Sequence, residues 1–325
     1  MPLESRDSAK HAHVLRLSDA PFKRVRLVLV PMLKQNANIA VVAPAGIPNL
    51  DGVEAGIALV ESWGYRIVRG AHIADKHHFT AGTTNARTSD LVWALCSEGI
   101  DAVWLARGGY GCMQCLPHLP AHPPDSRAVI GCSDATALFA YLDKHRTGPL
   151  VHGPMLETIA TRVDDATRCR MRRMLAGETN SPMPTKHFVG PTHSVRGKVV
   201  GGNLCVLASL AGTPWALEST GAIVILEDVT ETPYRIDRLI MQLRQSGAFD
   251  GAVAIALGDF VKCDPPADAG YTLLDVLREA LEPLDVPVWF GLPIGHGSTN
   301  LAWRVGAPAE IGPGGFVQDN PIAAV

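Results

Sequence analysis

A serine stands in "AVIGCSDATALFAYL", residues 128–142, between a β-branched apolar run and a helical pattern. On such a strand-to-helix turn Ser133 would expose its hydroxyl beside the first N–H groups of a helix, the setting of an acyl-transfer nucleophile. Ser and Asp in this position serve equally as a helix cap. A serine nucleophile needs a general base, and the base needs an orienting carboxylate. Of the 12 histidines, His11 and His13 fall in the N-terminal stretch, His77 and His78 in a polar loop, His145 in a last helical turn, and His187 and His193 in a Pro/Thr-rich stretch. His152 in "PLVHGPM" and His296 in "GLPIGHGSTN" instead end apolar strands. The residues leave the choice between these two open as a base. Glu227 closes "GAIVILE", a run too apolar for a solvated face. Its carboxylate therefore needs a partner, either the base or an arginine such as Arg235.

The loop "RGGYG", residues 107–111, has neither the G-x-G-x-x-G spacing of a dinucleotide site nor the Lys-Ser/Thr ending of a P-loop. Next to a nucleophile its glycines suit another task. The N–H of Gly109, with that of Asp134 just after the serine, can receive the oxyanion of a tetrahedral intermediate. "GCSDA" departs from the G-x-S-x-G elbow by placing Ala135 where the last glycine stands. Arg107 either meets a substrate carboxylate or pins the glycine loop. Cys112, Cys115, His118 and His122 in "CMQCLPHLPAH" form a compact set of ligand types, but the Cys-to-His spacer is far too short for a zinc finger and prolines interrupt it. No metal and no cofactor is expected.

These residues need a scaffold that brings strand ends together. From residue 38 short apolar runs alternate with helical segments, the pattern of a parallel sheet covered by helices. Strands are expected at "NIAVVAPAG", "YRIVRG", "DAVWLARGGYG", "RAVIGCSD" and "GPLVHGPM", with helices between them. In such sheets ligands bind at the carboxyl ends of the strands, which puts the glycine loop and Ser133 on one edge. The expected organisation is an extension over 1–36, poorly ordered or peripheral, a nucleophile domain over 37–160, a linker over 161–193 and a second α/β domain over 194–325.

At 325 residues, 47% hydrophobic and 19% charged, the chain has the balance of a soluble globular protein. A net charge of -3 without a basic stripe speaks against nucleic acid and anionic membrane as partners. Seven cysteines at irregular spacings fit a reducing cytoplasm better than a disulfide framework. "FKRVRLVLVPML" begins like a signal peptide, but its apolar run is short and polar residues precede it. Cys132, beside the serine, is expected to point into the sheet by strand alternation.

The segments "VVAPAG", "FTAGTTNARTSDL", "ARGGYG", "GCSDATAL", "HGPM", "GGNL", "AGTPW", "LEDVTETPYRIDR", "DAGYTL" and "GLPIGHG" follow one another in an order that resembles the LD-carboxypeptidase family of serine peptidases. The resemblance spans residues 38–318. It implies a Ser-Glu-His triad of Ser133, Glu227 and His296, and so chooses His296 over His152. It also implies a Rossmann-like N-terminal domain, a C-terminal domain that supplies Glu and His, and a homodimer. The implied substrate is a cytoplasmic murein tetrapeptide of L-Ala, γ-D-Glu, meso-diaminopimelate and D-Ala, cut before the D-Ala in cell-wall recycling. Tyr110 in the glycine loop, Asn203 in "GGNL" and Trp215 in "AGTPW" are offered as substrate contacts beside Arg107, with packing at a domain interface as the opposing reading. Two rival functions stay in view: hydrolysis of peptidyl or aminoacyl nucleotides, as in the microcin C self-immunity branch, and non-catalytic binding of a small molecule between two lobes.

Overall fold

Runs such as "NIAVV", "AVWL" and "AVIG" are apolar on both faces, so each can be satisfied only as an inner strand of a sheet covered on both sides. The computed structural model, which describes residues 27–29, 32–124, 127–145, 148–318 and 322–324, places them so. Most of the extension expected over 1–36, with His11 and His13, lies outside the described residues. The first half contains β1 (Leu27–Leu29), β2 (Asn38–Val42), α1 (Leu50–Ser62), β3 (Arg66–Arg69), α2 (Thr84–Cys96), β4 (Ala102–Leu105), α3 (Cys112–Cys115), β5 (Ala128–Gly131), α4 (Ala135–His145), β6 (Leu150–His152), α5 (Leu156–Ile159) and α6 (Asp165–Leu175). The second half contains β7 (Lys186–Val189), β8 (Val195–Asn203), α7 (Leu204–Leu210), β9 (Ala222–Val229), α8 (Pro233–Gln245), β10 (Ala254–Val261), α9 (Leu273–Leu281), β11 (Val288–Phe290), β12 (Trp303–Val305), β13 (Pro308–Gly312), β14 (Gly315–Gln318) and β15 (Ile322–Ala324).

The chain is an α/β protein with two main sheets. The first has the order β12-β6-β5-β4-β2-β3 and is parallel except for β12. The strand order reverses direction between β2 and β4, which opens a crevice at their carboxyl ends. The second sheet has the order β14-β13-β8-β9-β10-β11-β7, with a parallel centre of β8 to β11 and antiparallel edges. A short antiparallel pair joins β1 to β15.

Two features differ from the expected domain plan. The interval 161–193, expected as a linker, holds helix α6 and strand β7. Phe188 and Val189 are buried on the edge of the second sheet, where β7 pairs with β11, and the surrounding Pro and Thr residues hide this short strand in the sequence. Strand β12, from the C-terminal part of the chain, leaves the second sheet and pairs with β6 of the first, Trp303 opposite His152. The segment carrying His296 is thereby tied at its far end to the nucleophile's own sheet.

The two halves also meet behind the nucleophile. A Cβ on Gly202 would lie 2.5 Å from Thr136 Oγ1, so only glycine lets β8 approach the start of α4. The N–H of Asn203 then donates to the Thr136 hydroxyl at 3.0 Å.

Candidate active site

Ser133 is positioned by a backbone conformation that a serine rarely adopts. Its φ is +59°, and it sits between the last residues of β5 and the first turn of α4, whose Thr136 N–H donates to the Ser133 carbonyl. Left-handed strain at a non-glycine residue costs on the order of 1–3 kcal/mol and persists where the surroundings hold it. Here they do so closely. A Cβ on Gly108 would meet Ser133 Cβ at 2.9 Å and its Oγ at 3.0 Å, so the glycine loop lies directly against the hydroxyl. Asp134, 3% exposed, accepts the Cys112 N–H through Oδ2 at 2.8 Å and fastens the far end of that loop to the serine turn. Burial pushes the Asp134 carboxyl above its ordinary value against the pull of that hydrogen bond.

The glycine loop is braced from beneath by Arg87, which sequence reasoning missed. Its buried guanidinium donates to the carbonyls of Pro44 and Gly111 at 2.6 and 2.8 Å and to that of Gly82 at 3.2 Å. Gly46 N–H donates to Gly108 O at 2.9 Å, locking the loops after β2 and β4 together. The signal for Arg87 was present in the sequence. It falls on the same helical face as Leu91, Ala94 and Leu95, where a charge must find partners.

Glu227 lies near the end of β9, fully buried, and its Oε2 is 2.8 Å from His296 Nδ1. Room for this pair depends on glycines. A Cβ on Gly295 would stand 2.9 Å from Glu227 Oε2, and one on Gly258, at an irregularity in the β9–β10 pairing, 3.2 Å from Glu227 Cβ. Arg235, considered as a partner for Glu227, pairs instead with Glu231 at 2.7 Å. Burial draws the His296 imidazolium down, but the hydrogen bond and charge of Glu227, helped by Asp228, outweigh it, so His296 titrates above the ordinary histidine value.

Ser133 and His296 line one pocket of about 220 Å³ with Arg107, Gly108, Gly109, Arg162 and Asn300 among its walls. Ser133, Glu227 and His296 are therefore connected, hydroxyl and imidazole by a shared cavity and imidazole and carboxylate by a hydrogen bond. Gly109, at φ +100°, belongs to the same wall, and among the described residues neither its N–H nor that of Asp134 has a hydrogen-bond acceptor. Arg107 donates to the Ile47 carbonyl at 2.9 Å and its Nε is 3.8 Å from Glu157 Oε1, so it does pin the loop while bordering the pocket. Tyr110 lies just outside, where it and Phe79 line a shallower depression with their rings 5.8 Å apart. Phe79 was not singled out by the sequence, since an exposed aromatic in a polar loop carries no periodic signal.

His152, the other candidate, is fully buried and differently occupied. It stacks on Trp303 at 5.1 Å, both ring nitrogens lack a partner among the described residues, and burial lowers it to about 4 against the opposing charge of Glu227. The structure does not bring Asn203 or Trp215 to the pocket. Asn203 caps α7 through Val206 N–H and donates to Asp228 Oδ1, and Trp215 packs 6.1 Å from Tyr141 of α4. Both occupy the joint between the halves. Cys132 is buried beside Ser133 and borders the pocket, and burial with the charge of Glu227 raises its thiol to about 12. Cys112 and Cys115 are buried while His118 and His122 are exposed, and among the described residues no three His, Cys, Asp or Glu side chains are grouped as a metal ion would require.

Comparison with known proteins places this geometry in context. The profile of the LD-carboxypeptidase N-terminal domain matches residues 39–153, and that of the LD-carboxypeptidase C-terminal domain matches residues 196–311. A murein tetrapeptide carboxypeptidase of Pseudomonas aeruginosa is 34% identical over 289 residues, 85% of this chain and 93% of that protein. The crystal structure of a muramoyltetrapeptide carboxypeptidase from Oxalobacter formigenes superposes with a TM-score of 0.75 at 28% identity, covering 88% of this chain and all of that one. The microcin C7 self immunity protein in complex with aspartyl sulfamoyl adenosine shares the fold, with a TM-score of 0.77 at 21% identity over 90% of this chain and 98% of that one.

Proposed function

The chain belongs to the LD-carboxypeptidase family and is a peptidase, and from that premise we propose that it removes the terminal D-Ala of murein tetrapeptides with Ser133, Glu227 and His296 as its triad. The observation that carries the reading is the Glu227–His296 hydrogen bond at the mouth of the pocket that Ser133 also lines. With Nδ1 donating to Glu227, the His296 Nε2 is the acceptor tautomer that a general base requires.

Ser133 Oγ attacks the carbonyl of the L-to-D peptide bond as its proton passes to His296. Glu227 holds the ring and stabilises the imidazolium, a role for which a buried and otherwise unpaired carboxylate is suited. The N–H groups of Gly109 and Asp134 receive the oxyanion, each worth roughly 3–4 kcal/mol in such sites. His296 returns the proton to the leaving amine and D-Ala departs. Water, deprotonated by the same imidazole, then attacks the ester and frees Ser133. No metal enters these steps. A homodimer working in a reducing compartment is part of the same proposal, and the seven free cysteines fit such a compartment.

One observation favours a second reading. The exposed Phe79–Tyr110 pair beside the pocket would stack on a purine as readily as on an apolar peptide edge, which suits an aminoacyl nucleotide. The test is release of D-Ala from a murein tetrapeptide by the protein and by Ser133→Ala, with EDTA in parallel. Release insensitive to EDTA and abolished by the substitution supports the first reading. Absence of D-Ala together with cleavage of an aminoacyl sulfamoyl adenylate would replace it with the second.

A further inference from the structure

Two guanidinium groups border the Ser133 pocket, and they are not equivalent. Arg107 is engaged, by the Ile47 carbonyl and by the neighbouring carboxylate of Glu157. Arg162 makes no side-chain hydrogen bond and no ion pair among the described residues, although it lines the same cavity as Ser133 and His296. Its backbone is well held. The Arg162 N–H donates to Thr158 O at 2.9 Å, and the next residues are tied to the loop carrying His296: Asp164 N–H donates to Ser298 O at 2.9 Å and Thr299 Oγ1 to Asp164 Oδ2 at 2.5 Å. The backbone that carries this unpartnered cation is thus tied to the loop that carries the base.

The two arginines also differ in what adjoins them. Arg107 and Gly109 also line the neighbouring shallow depression, together with Gly46, Ile47, Phe79 and Tyr110. Thr158, Arg162 and Val163 line the pocket but not that depression. An enzyme that removes a single terminal residue must sense the chain end, and a free carboxylate is best sensed by the planar fork of an arginine.

We propose that Arg162 binds the terminal carboxylate of the substrate, so that the leaving residue lies on the Arg162 side of Ser133 and the acyl portion runs out over Phe79 and Tyr110. This rests on the carboxypeptidase reading given above. It gives the pocket a direction, and it makes Arg162 the residue that restricts cleavage to the chain end. An exposed side chain at this position carries little of the fold, so its replacement leaves the protein folded.

The experiment compares a murein tetrapeptide with its C-terminal amide as substrates for the wild type, Arg162→Gln, Arg162→Lys and Arg107→Gln, with thermal unfolding of each. The wild type prefers the free acid. Arg162→Gln lowers kcat/KM on the acid by about a hundredfold, chiefly through KM, and leaves the amide nearly unaffected, so the preference collapses. Arg162→Lys regains part of it and Arg107→Gln keeps it. Retention of the acid preference by Arg162→Gln, equal loss on both substrates, or collapse of the preference in Arg107→Gln overturns the assignment. Failure of the wild type to cut either peptide shows instead that the tetrapeptide reading is wrong, and the assignment falls with it.

Discussion

Two histidines are candidates for the base, and their surroundings set them apart: His152 closes β6 as expected, whereas His296 stands in the loop past β11 rather than at a strand end. His296 follows β11, keeps part of its ring open to the pocket and hands Nδ1 to a buried carboxylate. His152 ends β6, is wholly buried under Trp303, and finds no acceptor or donor among the described residues. One therefore titrates above the ordinary histidine value and the other near 4. Burial alone makes a histidine a neutral packing element. A base requires burial of its partner carboxylate together with access for itself.

The sharpest way to break this contrast is to remove either end of the proposed relay. Ser133→Ala and His296→Ala are expected to lower kcat by 10⁴-fold or more, read as D-Ala release under saturating substrate. His152→Phe should leave kcat/KM within about tenfold, because only packing changes. If His152→Phe proves as damaging as His296→Ala, the contrast fails.

Glu227→Gln comes next, with an expected loss of about 10³–10⁴-fold through the wrong tautomer and a weaker base. Its pH profile sharpens the point. In the wild type kcat/KM should rise with pH through a midpoint above about 6.5, since His296 must be neutral to act and Glu227 favours its charged form. In Glu227→Gln the burial remains and the raising partner is gone, so the residual activity should show its midpoint at lower pH. An unmoved midpoint would mean that another group sets the acid limb.

Gly108→Ala puts a methyl group within 3.0 Å of Ser133 Oγ, and a loss of about 10–100-fold is expected from displaced nucleophile or oxyanion donors, with global stability little changed.

The last expected effect belongs to His152 and is one of stability, with little change in rate. Its folded value near 4 lies below the unfolded value of about 6.5, so the unfolded chain binds the extra proton first as pH falls. The contribution is complete above about pH 6.5 and is lost as pH falls to about 4, a total of about 3 kcal/mol. Denaturant unfolding across that window should show a shallower acid dependence in His152→Phe than in the wild type. Identical slopes would show that His152 is not held neutral.

Much of the scaffold was legible because its signals are local. The apolar runs before "APAG", "ARGG", "CSDA" and "HGPM", each followed by a helical pattern, place β2, β4, β5 and β6 with their loops at one edge. The strand inside 161–193 and the return of β12 to the first sheet were not, since each depends on an edge supplied by distant residues. The site divides in the same way. Ser133 at its turn, the glycine loop and the buried acid Glu227 follow from residue type and neighbours. Which histidine pairs with Glu227 is decided across 69 residues of chain, and no periodicity reports such a distance. The same holds for Gly108 against Ser133, for Arg87 beneath two loops, and for the removal of Asn203 and Trp215 from the pocket to the joint between the halves. By itself the sequence determined the kind of scaffold and the chemical groups available to it. Only the tertiary structure decided which of those groups meet, because hydrogen bonding and desolvation act over a few ångströms in space, wherever the residues stand along the chain.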